Sequence, residues 1–370
     1  MGKVSIVNVR GSLKKHLSKS LDLICGINQY VVNNDRVLLK PNINGLSLPT
    51  NIDLIETLIH LLLDNNIKNI SIGESSFGNY KHTDKFFKDS GYLELAKKYN
   101  IPLINFNKSE PVKIKVDNPL IVDEIEIAKE AQNFDKIINI PVMKVHYATG
   151  ITLSLKNMKG LLTTKFKRLF HEVGLDEAIV DLSNTLKADL NIIDGLNCMD
   201  KMGPHGGEIL KLDLIIAGKS SWEVDYIGCK IMNYSIDEVN HLKKYFESND
   251  FNLENINIEV VGEKIEDVNY PFQKVKVEEI VPEGFTIHNS NACSTCENAF
   301  LLSCKFLENF KTEEIKIFMG KNNNERINHD DINIAFGNCC KSNDDIYKIK
   351  GCPPYPFELN DTLKKIFNQE

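Results

Sequence analysis

No apolar run in the 370-residue chain approaches about 18 residues, the length a membrane-spanning helix needs, so no membrane partner is expected. The opening MGKVSIVNVRGSL lacks the apolar core of a secretory signal, which makes the expected location cytoplasmic. There is no G-x-x-x-x-G-K-[ST] and no G-x-G-x-x-G after the early strands, which argues against an ordinary P-loop or dinucleotide enzyme. A G-x-S-x-G elbow and an H-E-x-x-H pair are also missing. The chain lacks an excess of positive charge: its net charge is −7, which argues against a nucleic-acid partner. It has one tryptophan, Trp222, no internal repeat and no low-complexity tract.

Hydrophobic residues make up 42% of the chain and charged residues 26%, as in an ordinary globular protein long enough for one large domain and a small one. Nine cysteines are many for a reducing compartment, and six of them follow residue 290. Such clustering points to a metal or cluster site rather than to disulfides.

Apolar runs and helical periodicity alternate through the first half. Strands are expected at 3–8, 37–40, 67–75 and 101–106, with helices at 12–30, 52–65, 83–90 and 92–99 between them. Residues 108–128 read as a hairpin or excursion. Strands at 190–196 and 212–218 flank a Gly/Pro-rich loop, 197–207, and helices are expected at 175–187, 221–232 and 236–248, before a strand at 257–262. The order implies an α/β fold: a mostly parallel open sheet with helices on both faces. The large domain is expected over 1–275. A small cysteine-rich α/β module over 285–370 has short strands at 314–320, 332–337 and 345–351, and a last helix from about 356.

The stretch Lys136–Gly160, KIINIPVMKVHYATGITLSLKNMKG, organises the rest. IINIPV reads as a buried strand, and Lys144, His146, Lys156, Asn157 and Lys159 follow it. In open parallel sheets, ligands bind beyond the carboxyl ends of strands. Cations gathered there suit a phosphate or carboxylate, although a solvated basic loop gives the same pattern. Lys40 and Asn42 end a different strand with the same polarity. His171 and His146 are candidates for acid–base work. Asp194 orients His171 or a substrate hydroxyl, or else caps a turn. Gly206 and Gly207 present backbone N–H groups to an anion, or else form turns. Glu74, at a strand end, is a weaker candidate.

VLLKPN (37–42), INIPVMKVHYATGITLSLKNMKGLL (138–162), His171, IIDG (192–195) and GPHGG (203–207) occur in that order. Together they resemble the family called domain of unknown function 362, a name that supplies no reaction. In the tail, IKGCPPYPFELNDTL is similar to the Gly-Cys-Pro-Pro segment of the small cluster-bearing subunit of respiratory complex I and of nickel–iron hydrogenases. That resemblance implies a [4Fe–4S] cluster with Cys352 as a ligand. Cys293 and Cys296, a C-x-x-C pair, come next, and Cys339 is the fourth, with Cys340 as its close alternative. A structural zinc site is the competing expectation.

The chain is therefore expected to be an iron–sulfur redox enzyme acting on a small anionic metabolite in a Lys/His cleft. The alternatives are an electron-transfer or cluster-carrier protein docking a redox partner protein, and a non-redox lyase or isomerase with a structural metal.

Overall fold

The computed structural model describes residues 2–44, 47–307, 314–321, 331–340 and 346–367. The chain divides into two units, Met1–Lys274 and Val275–Glu370.

In the first unit the strands are β1 (Gly2–Asn8), β2 (Val37–Pro41), β3 (Ile70–Glu74), β4 (Leu103–Asn105), β5 (Pro111–Lys115), β6 (Glu124–Ala128), β7 (Lys136–Ile140), β8 (Val142–His146), β9 (Gly150–Thr152), β10 (Leu190–Asp200), β11 (Glu208–Gly218) and β12 (Ile258–Gly262). Eight of them line up as β12-β1-β11-β10-β7-β2-β3-β4. Within that path only β11 runs against the others. β8 pairs in parallel with β10 and carries β9 as an antiparallel flap. β5 and β6 form a separate antiparallel pair. The fold is α/β with a mixed, largely parallel sheet.

Strand alternation splits the core in two. Val37 and Leu39 of β2 pack with Ile138, Ile140 and the helices Leu13–Leu23 and Ile52–Asp64. Leu38 faces the other way, into a core shared with the helices Thr164–Val173, Leu175–Thr185 and Ser221–Ile231. Both faces are covered, which is why the central strands read as continuous apolar runs. No described helix is long and apolar enough to cross a membrane.

The structure differs from the sequence expectation at three places. The helix expected over 12–30 ends at Leu23, and Cys25 just beyond it is exposed at φ 78°. Lys144 and His146, placed past the strand, lie within β8: Pro141 interrupts the run, since it has no N–H to donate, and β8 restarts beyond it. The 197–207 loop shrinks to a short tip, because β10 runs to Asp200 and β11 begins at Glu208. The mostly parallel sheet expected from the sequence is present, with β11 its one antiparallel member along the path.

The second unit holds a four-stranded, wholly parallel sheet: β13 (Phe285–Ser290), β14 (Ile315–Gly320), β15 (Ile332–Phe336) and β16 (Tyr347–Ile349), in that order. Asp345, where the third expected strand of the tail begins, lies outside the described residues. The helices Ser294–Lys305 and Glu358–Ile366 contribute Phe300, Leu359 and Leu363 to a small core with Ile317, Ile334 and Phe336.

Candidate functional site

The carboxyl ends of β2, β3 and β7 meet β8 and the short helix Ser154–Asn157. A row of side-chain amides ties them together. Asn42 donates to Asn157 Oδ1 (2.8 Å), Asn157 to Asn139 Oδ1 (2.7 Å), Asn139 to Asn191 Oδ1 (2.9 Å), and Asn191 to the Lys219 carbonyl (2.8 Å). The short helix is held by Asp225, whose two carboxylate oxygens accept from the Ser154 and Leu155 amides at 2.7 and 2.9 Å. Burial pushes the Asp225 carboxyl up to about 7 against those amide bonds. Asp225→Ala would leave two buried N–H groups without acceptors. It should cost about 2–4 kcal/mol in urea denaturation, with Asp225→Asn losing roughly half as much. Equal stability of Asp225→Ala and the parent would contradict this role.

Five lysines enter this region. Lys40 is fully buried and paired with Glu74 at 2.5 Å. Gly160 packs directly against that pair, for a Cβ there would lie 1.8 Å from Glu74 Oε1 and 2.5 Å from Lys40 Nζ. Lys144, 1% exposed, donates to Asn42 Oδ1 (2.7 Å), Ser47 Oγ (2.5 Å) and the Leu48 carbonyl (3.1 Å). Lys167 donates to the Ser75 carbonyl, to Ser75 Oγ (2.5 Å) and to the Ser76 carbonyl (3.2 Å). An ammonium has three hydrogens, so those of Lys144 and Lys167 are fully committed within the protein.

Lys156 and Lys159 differ. Among the described residues Lys156 Nζ donates only to Thr149 Oγ1, at 3.2 Å, although the side chain is buried. Lys159, half-buried, meets His171 Nε2 at 3.0 Å. The open cations of the cluster are therefore these two.

Burial dominates the electrostatics. It pushes Lys144, Lys159 and Lys167 down to about 7. Lys156 falls well below its ordinary value through burial and then the charge of Lys159. His146 and His171 are held well below theirs by burial and the neighbouring lysines, so both imidazoles are neutral near pH 7. His146 Nδ1 accepts from the Ala148 amide at 3.1 Å, which puts its proton on Nε2. Burial raises Asp194 to about 6.

These shifts have a consequence for stability. From about pH 7 to 8 the unfolded chain binds more protons at Lys144, Lys159 and Lys167 than the native protein does, so stability should rise with pH across that window. The raised carboxyls of Asp194 and Asp225 act in the opposite sense mainly below it, and the buried thiols of Cys198, Cys229 and Cys304, also raised, act in the opposite sense above it. Urea midpoints that stay flat or fall across that window would contradict the lysine environments.

The structure thus brings Lys40, Asn42, Lys144, His146, Lys156, Asn157 and His171 into one region. Asp194 instead accepts from the Asn51 amide (2.6 Å) and the Leu196 amide (3.1 Å), anchoring the turn before the helix Ile52–Asp64. Gly206 adopts φ 74°, and a Cβ on Gly207 would lie 2.4 Å from the Asp200 carbonyl, so both serve the hairpin tip. Gly203 seats that tip on β8, where a Cβ would lie 1.8 Å from the Val145 carbonyl. Sequence reasoning missed Asn139 and Asn191, whose signal was an amide inside an apolar strand. It also missed the anchor Asp225.

In the second unit, Cys293 caps the helix Ser294–Lys305 and Cys296 lies in its first turn. The strand ends hold the other thiols close. Asn338 N donates to the Gly351 carbonyl (2.9 Å), Asn338 Oδ1 accepts from Gly351 N (2.8 Å), and a Cβ on Gly337 would stand 3.3 Å from Cys296 Sγ. Cys293 is pushed down to about 6 by the Cys296 thiol and nearby amides, against burial. Cys296 is pushed up by Cys293, by burial, and by the charges of Cys352 and Cys339. Cys340 is buried and is not among the groups acting on Cys296. Cys304 is buried, its thiol raised to about 12. No group of three His, Cys, Asp or Glu side chains among the described residues is arranged to hold a single metal ion.

The chain is similar to a curated protein and, distantly, to a solved structure. A thylakoid-associated protein of Synechocystis sp. is 27% identical over 233 residues, 60% of this chain and 70% of that protein. The lactate racemase apoprotein from Thermoanaerobacterium thermosaccharolyticum superposes over 86% of this chain and 69% of its own, with 13% identity and a TM-score of 0.38, a likeness too distant to bear on activity. Residues 37–230, more than half of the chain, match the model of the domain of unknown function (DUF362), and the chain belongs to that family.

Proposed function

We propose that the first unit binds a small phosphate- or carboxylate-bearing metabolite and that the second holds a [4Fe–4S] cluster, making the chain a cytoplasmic iron–sulfur oxidoreductase. One observation carries the ligand half: two neighbouring lysines, one buried and one half-buried, keep ammonium hydrogens that nothing among the described residues accepts. Their burial favours a small molecule over an acidic protein, because a docking protein reaches exposed cations such as Lys165 and Arg168 rather than Lys156. That weighs against the carrier reading.

The cluster half rests on the thiols of Cys293, Cys339 and Cys352, which all act on Cys296 from one helix start and two strand ends. A cluster spreads four thiolates around a cube of iron and sulfur, whereas a zinc ion needs all of them about 2.3 Å from one centre. The Gly-Cys-Pro-Pro turn at Cys352 is what favours the cluster over zinc. When bound, it would supply one-electron chemistry. The chain's own groups would bind the anion (Lys156, Lys159), present a neutral N–H donor (His146 Nε2) and exchange a proton through the Lys159–His171 contact.

A thermal-shift screen of anaerobic protein against phosphorylated and carboxylated metabolites tests the ligand half. At least one small anion should raise the melting temperature saturably. A folded protein indifferent to every anion in the panel would sink the proposal.

A further inference from the structure

We propose that the Lys156–Lys159 pair takes a phosphoryl group in its dianionic form, so that the ligand is a phosphate ester or free phosphate rather than a carboxylate. This rests on the anion-site reading above and narrows it.

The argument is a count of donors and charges. Lys144 and Lys167 each spend three hydrogens on protein acceptors, and Lys40 spends two, one of them on Glu74. Lys156 spends one, on Thr149, and Lys159 one, on His171. Two ammonium hydrogens therefore stay open on each of the last two. Leaving a buried charged donor without acceptors is costly, so the site favours an oxygen-rich partner.

The charges near the pair are unequal. Glu74 is taken by Lys40, and Asp194 by the Asn51 and Leu196 amides. Asp176 alone among the described carboxylates acts on Lys156, and it also faces the buried His241 ring at 3.6 Å. Burial lowers both lysines, so a bound anion also draws them into the charged form, and one shared carboxylate leaves that charge under-compensated. A monocarboxylate would bring a single negative charge and two oxygens. A phosphoryl group brings about −1.5 to −2 and three oxygens, which matches two ammoniums with four open hydrogens. His146 adds a neutral N–H donor, which strengthens the grip on the oxygens without overshooting the charge.

Titration calorimetry with inorganic phosphate, glycerol 3-phosphate, malonate and acetate tests this. Phosphate or its ester should bind at least tenfold more tightly than acetate and more tightly than the dicarboxylate malonate. The ester alone binding would identify an esterified ligand, and both binding alike a free phosphoryl site. Lys156→Met and Lys159→Met should each weaken phosphate tenfold or more with circular dichroism unchanged, while the exposed Lys165→Met should not. Acetate or malonate matching phosphate would overturn the phosphoryl assignment and leave the anion site standing. Phosphate binding that survives both substitutions would overturn the assignment to this pair. Failure of every anion to bind the folded protein would overturn the anion reading itself.

Discussion

Anaerobically purified protein is expected to be brown, to carry about four irons per chain, and to lose its colour when Cys352 is changed to serine. Cys352 lies just past β16, in a turn tied to the end of β15 by the Asn338–Gly351 bonds. Serine replaces a soft thiolate by a hard hydroxyl at one corner and leaves the turn intact. Cys339→Ser should act the same way, because the Cys339 thiolate acts on Cys296; Cys340→Ser should not, because Cys340 packs with Phe318 and Ala335. Cys304→Ser should also keep the colour, as Cys304 packs with Phe300 and Phe336 in the small core. The second unit's core is thin, so bleached variants should also lose melting temperature. Iron analysis, visible absorption and thermal melting read these effects together. Colourless parent protein with stoichiometric zinc would contradict the redox reading.

Lys156→Ala and Lys144→Ala should separate cleanly, although the sequence groups the two residues as equal ligands. Losing a charge-assisted hydrogen bond at Lys156 should weaken anion binding by about 1.5–3 kcal/mol, roughly ten- to a hundredfold, with little change in urea midpoint. Removing Lys144 orphans Asn42 Oδ1, Ser47 Oγ and the Leu48 carbonyl, and unseats the first amide of the row that ends at Asn191. Its main effect should be a lower urea midpoint, with affinity falling only as Asn157 and its helix shift. Calorimetry and denaturation on both variants check this. The reverse pattern would show that Lys144 is the ligand residue and that the donor count misplaces the site.

Strand-end logic located the region because apolar runs and the cations after them are local signals. Lys40, Lys144 and Lys156 could be assigned to one neighbourhood on that basis alone. Which ammoniums remain open could not, since it depends on backbone carbonyls of Leu48, Ser75 and Ser76, contributed by turns far away in sequence. The amide row escaped notice because each asparagine looks like an isolated polar residue until β2, β7 and β10 lie side by side. Asp225 sits within a helix of unremarkable pattern, and its partners are 70 and 71 residues away. The hairpin tip was drawn too long because Gly and Pro mark a turn but not its length. β11 gave no sign of its direction, which pairing with both β1 and β10 decides. In the tail, the cysteine spacing, the Gly-Cys-Pro-Pro turn and the preference for Cys339 over Cys340 were legible, because Cys339 directly follows the strand Ile332–Phe336 and its turn.

The most direct test of the anion site is an anomalous difference map from crystals of the native protein soaked in selenate, a dianionic mimic of phosphate. The account predicts a selenium peak within hydrogen-bonding distance of both Lys156 Nζ and Lys159 Nζ, lost in Lys156→Met crystals. A peak confined to exposed side chains such as Lys165 and Arg168, with none at the Lys156–Lys159 pair, would contradict it.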